Sequence, residues 1–211
     1  MMKKISLSLA TAICLSSNAL QASDLKPMLQ FGYDFGGETL ATVESYDYYD
    51  GYDTSKIRAG QGLNFEVGAS VSTQESPMEF QFLVGYKVDR ESTSNGSVTW
   101  DRIPMTAIAL VKKDRWKFGG GLTYHLNPEL SGSFTGYDNN GNYFNDSVDD
   151  EYDDALGGVI QAQFMISEAM AVGIKGTFIE YKLKNNSSIT VKGNSIGINF
   201  SYTFGERSEF R

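Results

Sequence analysis

Cysteine and histidine are almost absent from this chain, which has one of each in 211 residues, together with four prolines. Cys14 lies in the N-terminal segment, so the remainder of the chain has no disulfide framework to stabilise it. With His125 as the only histidine, any acid–base mechanism must use that residue or do without an imidazole. After the N-terminal segment, no uninterrupted apolar run approaches the roughly 18 to 20 residues of a membrane helix, which excludes a helical membrane protein.

Basic residues are in the minority, since 18 lysines and arginines stand against 26 acidic residues and give a formal net charge of −8. So acidic a surface repels nucleic-acid phosphates, and we expect no nucleic-acid partner. Glycine and aromatic residues are abundant by contrast, with 22 Gly, 12 Tyr and 13 Phe. This composition favours β-strands and close backbone contacts over helices.

The N-terminus has the three parts of a secretory signal peptide. Lys3 and Lys4 are followed by the short apolar stretch 5–15 and by small residues at 16–22. We predict a signal peptide at 1–22, cleaved after Ala22 or alternatively after Ala19, and a barrel domain at 23–211. An N-terminal core helix is the competing interpretation. Removal of residues 1–22 takes away two lysines, so the exported chain would have ten more acidic than basic residues.

The organising pattern is a period-two alternation of apolar and polar residues in segments of about ten residues. From Leu29 to Phe35, every second residue is Leu, Phe or Tyr, and the residues between are Gln, Gly and Asp. Segment 101–111 is apolar on both faces and contains Pro104, which needs a bulge in a closed sheet. We predict eight strands at roughly 27–40, 60–71, 78–89, 99–111, 116–125, 155–166, 170–182 and 189–204.

The connections between these segments alternate in length. Three are short, at 72–77, 112–115 and 167–169, whereas those at 41–58, 89–99, 126–154 and 183–188 are mostly longer and polar. Short periplasmic turns and long extracellular loops are typical of transmembrane barrels, and a soluble sandwich has no reason to sort its loops in this way. The predicted fold class is therefore all-β, an eight-stranded antiparallel transmembrane β-barrel with short periplasmic turns and long extracellular loops.

The two faces of the strands indicate which one meets lipid. The polar face is rich in Gly, Ser, Thr and Asn, while the apolar face carries Phe, Tyr and Trp that would crowd the lumen of an eight-stranded barrel. Aromatic residues also lie near the strand ends, as Tyr86, Trp116 and Tyr124 do, which matches two interfacial girdles. We expect the aromatic face to contact outer-membrane lipid; a secreted lipocalin-like barrel is the alternative.

Five charged residues are placed in the lumen by the same alternation: Glu66, Glu79, Lys87, Lys117 and Lys175. Counting from the short turns puts Glu66 level with Lys175 near mid-height, and Glu79 level with Lys117 near the periplasmic end. Charges buried in so narrow a space must pair or meet water. The sequence therefore predicts two charge pairs and a packed polar interior instead of a pore.

Several stretches resemble known barrels. The chain resembles the small outer-membrane β-barrel superfamily of OmpX-, OmpW- and opacity-type proteins. More narrowly, residues 102–104, 115–128 and 154–157 are similar to a group of proteobacterial barrels without an established chemistry. Tyr202 and Phe204 near the end of the last strand resemble the terminal aromatic signal of such proteins, although residues 205–211 extend beyond it. The resemblance implies the bacterial outer membrane and supplies no activity.

Catalytic and cofactor motifs are weak. His125 is near the top of the fifth strand, where lipid-modifying barrels place a histidine, but Asn127 stands where deacylase-like barrels have serine. A rim histidine that caps the loop is the better interpretation. The glycines at 60–62 and 119–121 lack the strand–loop–helix context and following lysine of a phosphate loop. We predict no catalytic, cofactor-binding or metal-ligating residue.

The acidic loops are the remaining candidates for binding. Loop 41–58 interleaves four acids with tyrosines, and 126–154 has eight acids and no lysine or arginine. Such loops are solvated surface as a rule, and weak binding of divalent cations is the alternative. We therefore predict a non-enzymatic, monomeric surface barrel with a structural, adhesive or protective role. The alternative function is a conduit or binder for a small molecule, and the OmpW resemblance implies a hydrophobic one.

Overall fold

The computed structural model describes residues 23–47, 51–73, 76–93, 96–137 and 143–205, so the predicted signal peptide lies outside the described residues. No helix in these ranges is long and apolar enough to span a membrane. Within them the chain forms thirteen strands: β1 Ser23–Gly36, β2 Thr39–Asp47, β3 Gly51–Arg58, β4 Gly62–Thr73, β5 Met78–Thr93, β6 Gly96–Lys113, β7 Trp116–Tyr137, β8 Tyr143–Glu151, β9 Ala155–Met165, β10 Met170–Phe178, β11 Glu180–Leu183, β12 Asn186–Lys192 and β13 Ser195–Thr203.

Eight of these strands close into one antiparallel barrel. Their order around the wall is β6, β5, β4, β1, β13, β10, β9 and β7, and β7 pairs with β6 to complete the circle. The first and last strands pair from Met28 opposite Thr203 to Gly36 opposite Ser195. Closure leaves no open sheet edge in the wall, as a lipid environment requires. The predicted eight-stranded antiparallel barrel is confirmed.

In the barrel wall the apolar side chains are exposed and the polar ones are buried, the reverse of a soluble protein. In β5, Phe80, Phe82 and Val84 are 42%, 53% and 43% exposed, whereas Glu79 and Gln81 are buried. Because successive side chains of a strand point to opposite faces, the apolar set surrounds the outside and the polar set fills the lumen. An outer surface of this kind is stable only in contact with hydrocarbon.

The short connections lie at one end of the barrel, which we call the turn end. Lys113 pairs directly with Trp116, so β6 and β7 are joined by the two residues Asp114 and Arg115. Asp114 has a φ of 55°, the left-handed conformation that such tight hairpins need. The sequence predicts a bulge at Pro104, and the β6–β7 register does shift nearby, between Asp101 and Ile103. The extra residue lies in β7, opposite the strand of Pro104.

The opposite end differs from the prediction of long loops. β2 pairs with β3, β7 extends to pair with β8, and β11 pairs with β12, so three hairpins rise above the barrel. The upper parts of β5 and β6 also continue to a pairing of Thr93 with Gly96. We call residues 38–58, 90–101, 126–154 and 179–193 the head. Its strands form because one face of each hairpin buries apolar side chains in a common core.

Candidate functional site

The lumen of the barrel is filled by polar side chains arranged in layers. Nearest the turn end, Lys117 Nζ lies 2.6 Å from Glu79 Oε2. Gln81 Nε2 donates a hydrogen bond of 2.7 Å to Glu79 Oε1. All three side chains are buried. The structure thus brings together the two residues that the sequence placed at the same level near this end.

The second predicted pair occupies the middle of the lumen. Lys175 Nζ lies 3.0 Å from Glu66 Oε2, which also accepts a hydrogen bond of 2.8 Å from Gln30 Nε2. Thr106 donates to Glu66 Oε1 at 3.4 Å and lies 3.1 Å from the hydroxyl of Thr123. Glu66 is completely buried, and four strands supply the groups around it. Both oxygens of this carboxylate therefore have partners.

Lys87 is the fifth predicted lumen charge, and its partner is Asp34, which the sequence prediction left out. Lys87 Nζ lies 2.5 Å from Asp34 Oδ2 and donates a hydrogen bond of 2.7 Å to the carbonyl of Gly60. Asn64 donates to the same carboxylate oxygen at 3.1 Å. Asp34 has the inward parity of Gln30 in the first strand, so the signal for it was present in the alternation.

Arg102 is a further buried cation that the sequence prediction did not identify. It donates a hydrogen bond of 2.7 Å to the carbonyl of Gln61, and its guanidinium lies 5.3 Å from the ring centre of Trp100. The apolar appearance of segment 101–111 on both faces concealed its inward position. Within β6 itself the alternation is uninterrupted from Val98 to Leu110, because the extra residue of the neighbouring register shift belongs to β7.

His125 lies inside the protein and not at an exposed rim. The side chain is 3% exposed, and Nδ1 lies 2.6 Å from the hydroxyl of Tyr181. The rim histidine that the sequence predicts is thus buried where the barrel wall meets the head, and the residue that it contacts belongs to β11. Its partner is the phenol of Tyr181 on β11, and not the serine that lipid-modifying barrels pair with their histidine. The hydrogen bond between His125 and Tyr181 therefore joins the lumen to the head.

The head closes the outer end of the lumen with an apolar core. Trp100 is completely buried and donates a hydrogen bond of 3.0 Å to the carbonyl of Ala59. Its ring centre lies 5.1 Å from that of Tyr152 and 5.3 Å from that of Tyr181, both in edge-to-face geometry. The buried members of this core are Ile57, Ala59, Val98, Trp100, Leu130, Tyr152, Ala155, Ile179 and Tyr181.

The other face of the upper β6–β7–β8 sheet is acidic. Asp101 stands directly opposite Glu129, and Glu129 stands directly opposite Glu151. Partial burial and the neighbouring Asp101 and Asp149 carboxylates raise the pKa of Glu129. The Glu151 carboxylate bonds the Lys184 ammonium at 2.8 Å and raises the pKa of that lysine. Like charges directly across a ladder repel one another, so this face carries a negative potential that Lys184 relieves only in part.

Metal and cavity chemistry find little support in the described part of the chain. Its His, Cys, Asp and Glu side chains form no group of three or more that could hold a metal ion. All four acids of loop 41–58 lie outside the side chains that the structure describes, so cation binding there stays a prediction. Between Asp34, Glu66, Lys87, His125 and Lys175 there is space for roughly one water molecule.

The predicted terminal aromatics lie at the turn end. Tyr202 and Phe204 are 37% and 43% exposed, and their ring centres are 4.9 Å apart. The Phe204 amide donates a hydrogen bond of 2.8 Å to the carbonyl of Pro27, which ties the end of β13 to β1. Their role as an assembly signal stays a prediction. Residues 206–211 lie outside the described part of the chain.

Comparison with known proteins was made on sequence and on fold. No curated protein matches the chain. The solved structures that it resembles include the attachment invasion locus protein Ail of Yersinia pestis, crystallised with the heparin analogue sucrose octasulfate, at 12% identity and a TM-score of 0.47 over 86% of this chain and 99% of that one. Neisserial surface protein A is 10% identical, with a TM-score of 0.44 over 86% of this chain and 99% of its own.

A third similar structure is outer membrane protein H of P. aeruginosa, determined in DHPC micelles. It is 12% identical to this chain, with a TM-score of 0.41 over 85% of this chain and 99% of its own. The family model that matches covers residues 7–204, almost the whole sequence. The chain therefore belongs to the family of the outer membrane protein beta-barrel domain and is a protein of the bacterial outer membrane.

Proposed function

We propose that this barrel acts at the cell surface through its head, as a non-enzymatic protein with an adhesive or protective role. In barrels of this type the short turns face the periplasm and the longer connections face outward, so the head is extracellular. The observation that carries the proposal is that these connections fold into hairpins around a common apolar core. A surface held rigidly in this way loses less conformational entropy when a partner binds than a set of flexible loops would.

The charge distribution supports an electrostatic contribution from the head. Its four segments contain sixteen acidic and six basic residues. This excess of ten acids equals the whole excess of the chain once residues 1–22 are removed, so the remainder is balanced. A surface of one sign attracts cationic partners and repels anionic ones over about a Debye length.

The alternative of a conduit for a small hydrophobic molecule has less support. Buried charge pairs cross the lumen at three heights, through Asp34, Glu66 and Glu79 with their lysines. An apolar molecule on this path would have to displace them and leave charges unpaired in a confined space, which is costly. The apolar core of the head also blocks the outer opening.

The proposal is tested by adhesion of intact cells to a polylysine-coated surface at low and high salt. Cells that display the protein should adhere more strongly than cells without it, and the difference should shrink at high salt. Glu129→Gln/Asp149→Asn on the head should reduce adhesion. The matched control, Asp114→Asn/Glu168→Gln at the turn end, removes two acids that face the periplasm and should have no effect. Equal adhesion by the parent and the head variant would refute the electrostatic role of the head.

A further inference from the structure

One of the three short turns at the turn end of the barrel is basic. Lys112, Lys113 and Arg115 stand on the connection of β6 and β7, and all three are exposed. The other two short turns each carry one acid and no base, Glu75 in the first and Glu168 in the third. Three cations on one short turn are notable in a chain with an overall charge of −8.

Lipid-facing aromatic side chains flank this basic turn. Trp116, which pairs with Lys113 across the ladder, is 45% exposed. Its ring stacks on Phe118 at 5.6 Å and meets Phe164 edge-to-face at 5.0 Å. Tryptophan at this position marks the level of the lipid headgroups. The ammonium groups of the turn are therefore held where the phosphates of the periplasmic leaflet lie.

A shallow depression formed by small residues lies farther along the same lipid-facing wall, beyond the exposed Val111 and Phe118. Ala109 pairs with Gly120, and Gly120 pairs with Ile160 on the next strand. Larger exposed side chains border these small residues, among them Phe82, Leu122 and Ile160 at 53%, 58% and 57% exposure. Gly120 follows Trp116 by four residues, about 13 Å along an extended strand, a distance that an acyl chain spans easily.

We propose that this face of β6, β7 and β9 is a docking surface for an anionic phospholipid of the periplasmic leaflet. The phosphate lies at the basic turn against Lys113, which shares the lipid-facing side of the ladder with Trp116, while Lys112 adds positive charge from the lumen side of the strand end. The glycerol region lies beside Trp116, and one acyl chain passes Phe118 to the depression at Ala109 and Gly120. Charge complementarity selects the headgroup, since a zwitterionic lipid offers the lysines no net charge. The apolar wall adds affinity without selecting among headgroups.

A phospholipid fits these observations better than an anionic polymer of the periplasm. A polymer such as peptidoglycan would need cations that reach into the water, and it would gain nothing from the exposed Trp116, Phe118 and Phe164. Here the cations and the aromatic rings share one edge of the wall. A phospholipid contacts both the cations and the aromatic rings.

The test is native mass spectrometry of the full chain in detergent, titrated with phosphatidylglycerol or phosphatidylethanolamine. The parent should bind phosphatidylglycerol more tightly, and the preference should fall with added salt. Each lysine near a membrane surface contributes about 1 kcal/mol toward anionic lipid, so Lys112→Gln/Lys113→Gln should lose the preference by roughly 25-fold. The matched control is Lys182→Gln/Lys192→Gln, which removes two exposed lysines of the head and should keep the preference.

A second variant examines the depression separately. Ala109→Leu fills it from a lipid-facing position and should weaken the binding of both lipids while leaving the headgroup preference and its salt dependence intact. An unchanged preference in the Lys112→Gln/Lys113→Gln variant overturns the proposal, as does an equal loss in the head control. If Ala109→Leu has no effect, the placement of the acyl chain is wrong. Lysine-dependent retention on isolated peptidoglycan without a lipid preference would identify the polymer as the partner instead.

Discussion

At the scale of single residues, the lumen is dominated by charges that have no access to bulk water. Glu66 accepts hydrogen bonds from Lys175, Gln30 and Thr106, so three other strands depend on one carboxylate. Removing that charge leaves the Lys175 ammonium buried and unpaired. Breaking a buried pair in this way is far more costly than losing an exposed one, such as Lys184 with Glu151.

We expect Glu66→Gln to destabilise the barrel by about 3 to 5 kcal/mol, and Glu66→Gln/Lys175→Met to recover part of that loss. The measurement is urea unfolding in lipid vesicles, followed by tryptophan fluorescence. Glu151→Gln on the exposed pair is the control and should cost no more than about 1 kcal/mol. Strictly additive effects of the two lumen substitutions would contradict the coupling that the structure implies.

A second prediction concerns a single side chain on the lipid-facing side of the wall. Phe82 is 53% exposed on the apolar side of β5, between the aromatic levels at the two ends. Phe82→Lys should cost about 2 to 4 kcal/mol in a bilayer, because a charged group in hydrocarbon is poorly solvated. Phe82→Leu is the control for loss of the ring. The same vesicle assay measures both variants, and a lysine variant as stable as the leucine variant would show that this face does not meet lipid.

Glu129 gives a pH-dependent prediction. Its pKa is raised by partial burial and by neighbouring carboxylates, so the folded state loses stability as the pH rises through that pKa. Glu129→Gln should therefore stabilise the head at pH 7, by about 0.5 kcal/mol or less since the site is largely open to solvent. Near pH 3, where the parent carboxyl is protonated, the two proteins should be equally stable. Local hydrogen exchange in β7 and β8 measures the difference, and a gain that persists at low pH would contradict the electrostatic cause.

The residues of the lumen show what alternation can and cannot predict. Glu66, Glu79, Lys117 and Lys175 sit in cleanly alternating or well-anchored segments, so counting from the short turns gave both their face and their height. Asp34 had the right parity, but its partner Lys87 lies two strands away, and only the register of β1, β4 and β5 brings them together. Arg102 was hidden because segment 101–111 has apolar residues on both faces, although its strand alternates regularly in the structure.

At the scale of elements, the head is the part that the sequence concealed. Its hairpins have only one face in apolar contact, and the other face carries acids, serines and threonines. The alternation is present, for instance at Val98 and Trp100 and at Leu130 and Phe134, but acidic residues and glycines dilute it. These apolar positions come from four separate segments, so each is too short to predict a core alone.

A substitution of Trp100 tests whether the head is a separate structural layer, because this side chain contacts three parts of the head. Trp100→Ala removes the edge-to-face contacts with Tyr152 and Tyr181 and the bond to Ala59, a loss of about 3 to 5 kcal/mol for a buried tryptophan. Because the barrel strands keep their own backbone hydrogen bonds, only the head should lose stability. Amides of β8, β11 and upper β6 should exchange faster, while those of β1 and β13 should not change.

The matched control for that experiment is Trp116→Ala at the turn end, where the ring faces lipid and no head contact is lost. It should leave exchange in the head unchanged. Faster exchange throughout the barrel in Trp100→Ala would mean that the head and wall unfold as one unit, and the head would then be no separate layer.

At the scale of the whole molecule, the protein is a neutral, tightly filled barrel that carries an acidic folded head. The lumen is closed twice, by charge pairs at three heights and by the apolar core around Trp100. These closures are chemically independent, since one depends on ion pairing and the other on apolar packing. Loss of one should therefore not open the molecule.

This redundancy predicts the behaviour of purified protein in planar bilayers. The parent should show no steady channel, and Trp100→Ala should show none either, because the lumen pairs still fill the barrel. Glu66→Ser/Lys175→Ser shortens two side chains at mid-height but leaves the head closed, so it should also stay silent. The combination of all three substitutions should stay silent as well, since the pairs of Asp34 with Lys87 and of Glu79 with Lys117 still cross an eight-stranded barrel that is just wide enough for its own side chains. A steady conductance from the parent, or from Trp100→Ala alone, would show that the charge pairs do not close the lumen.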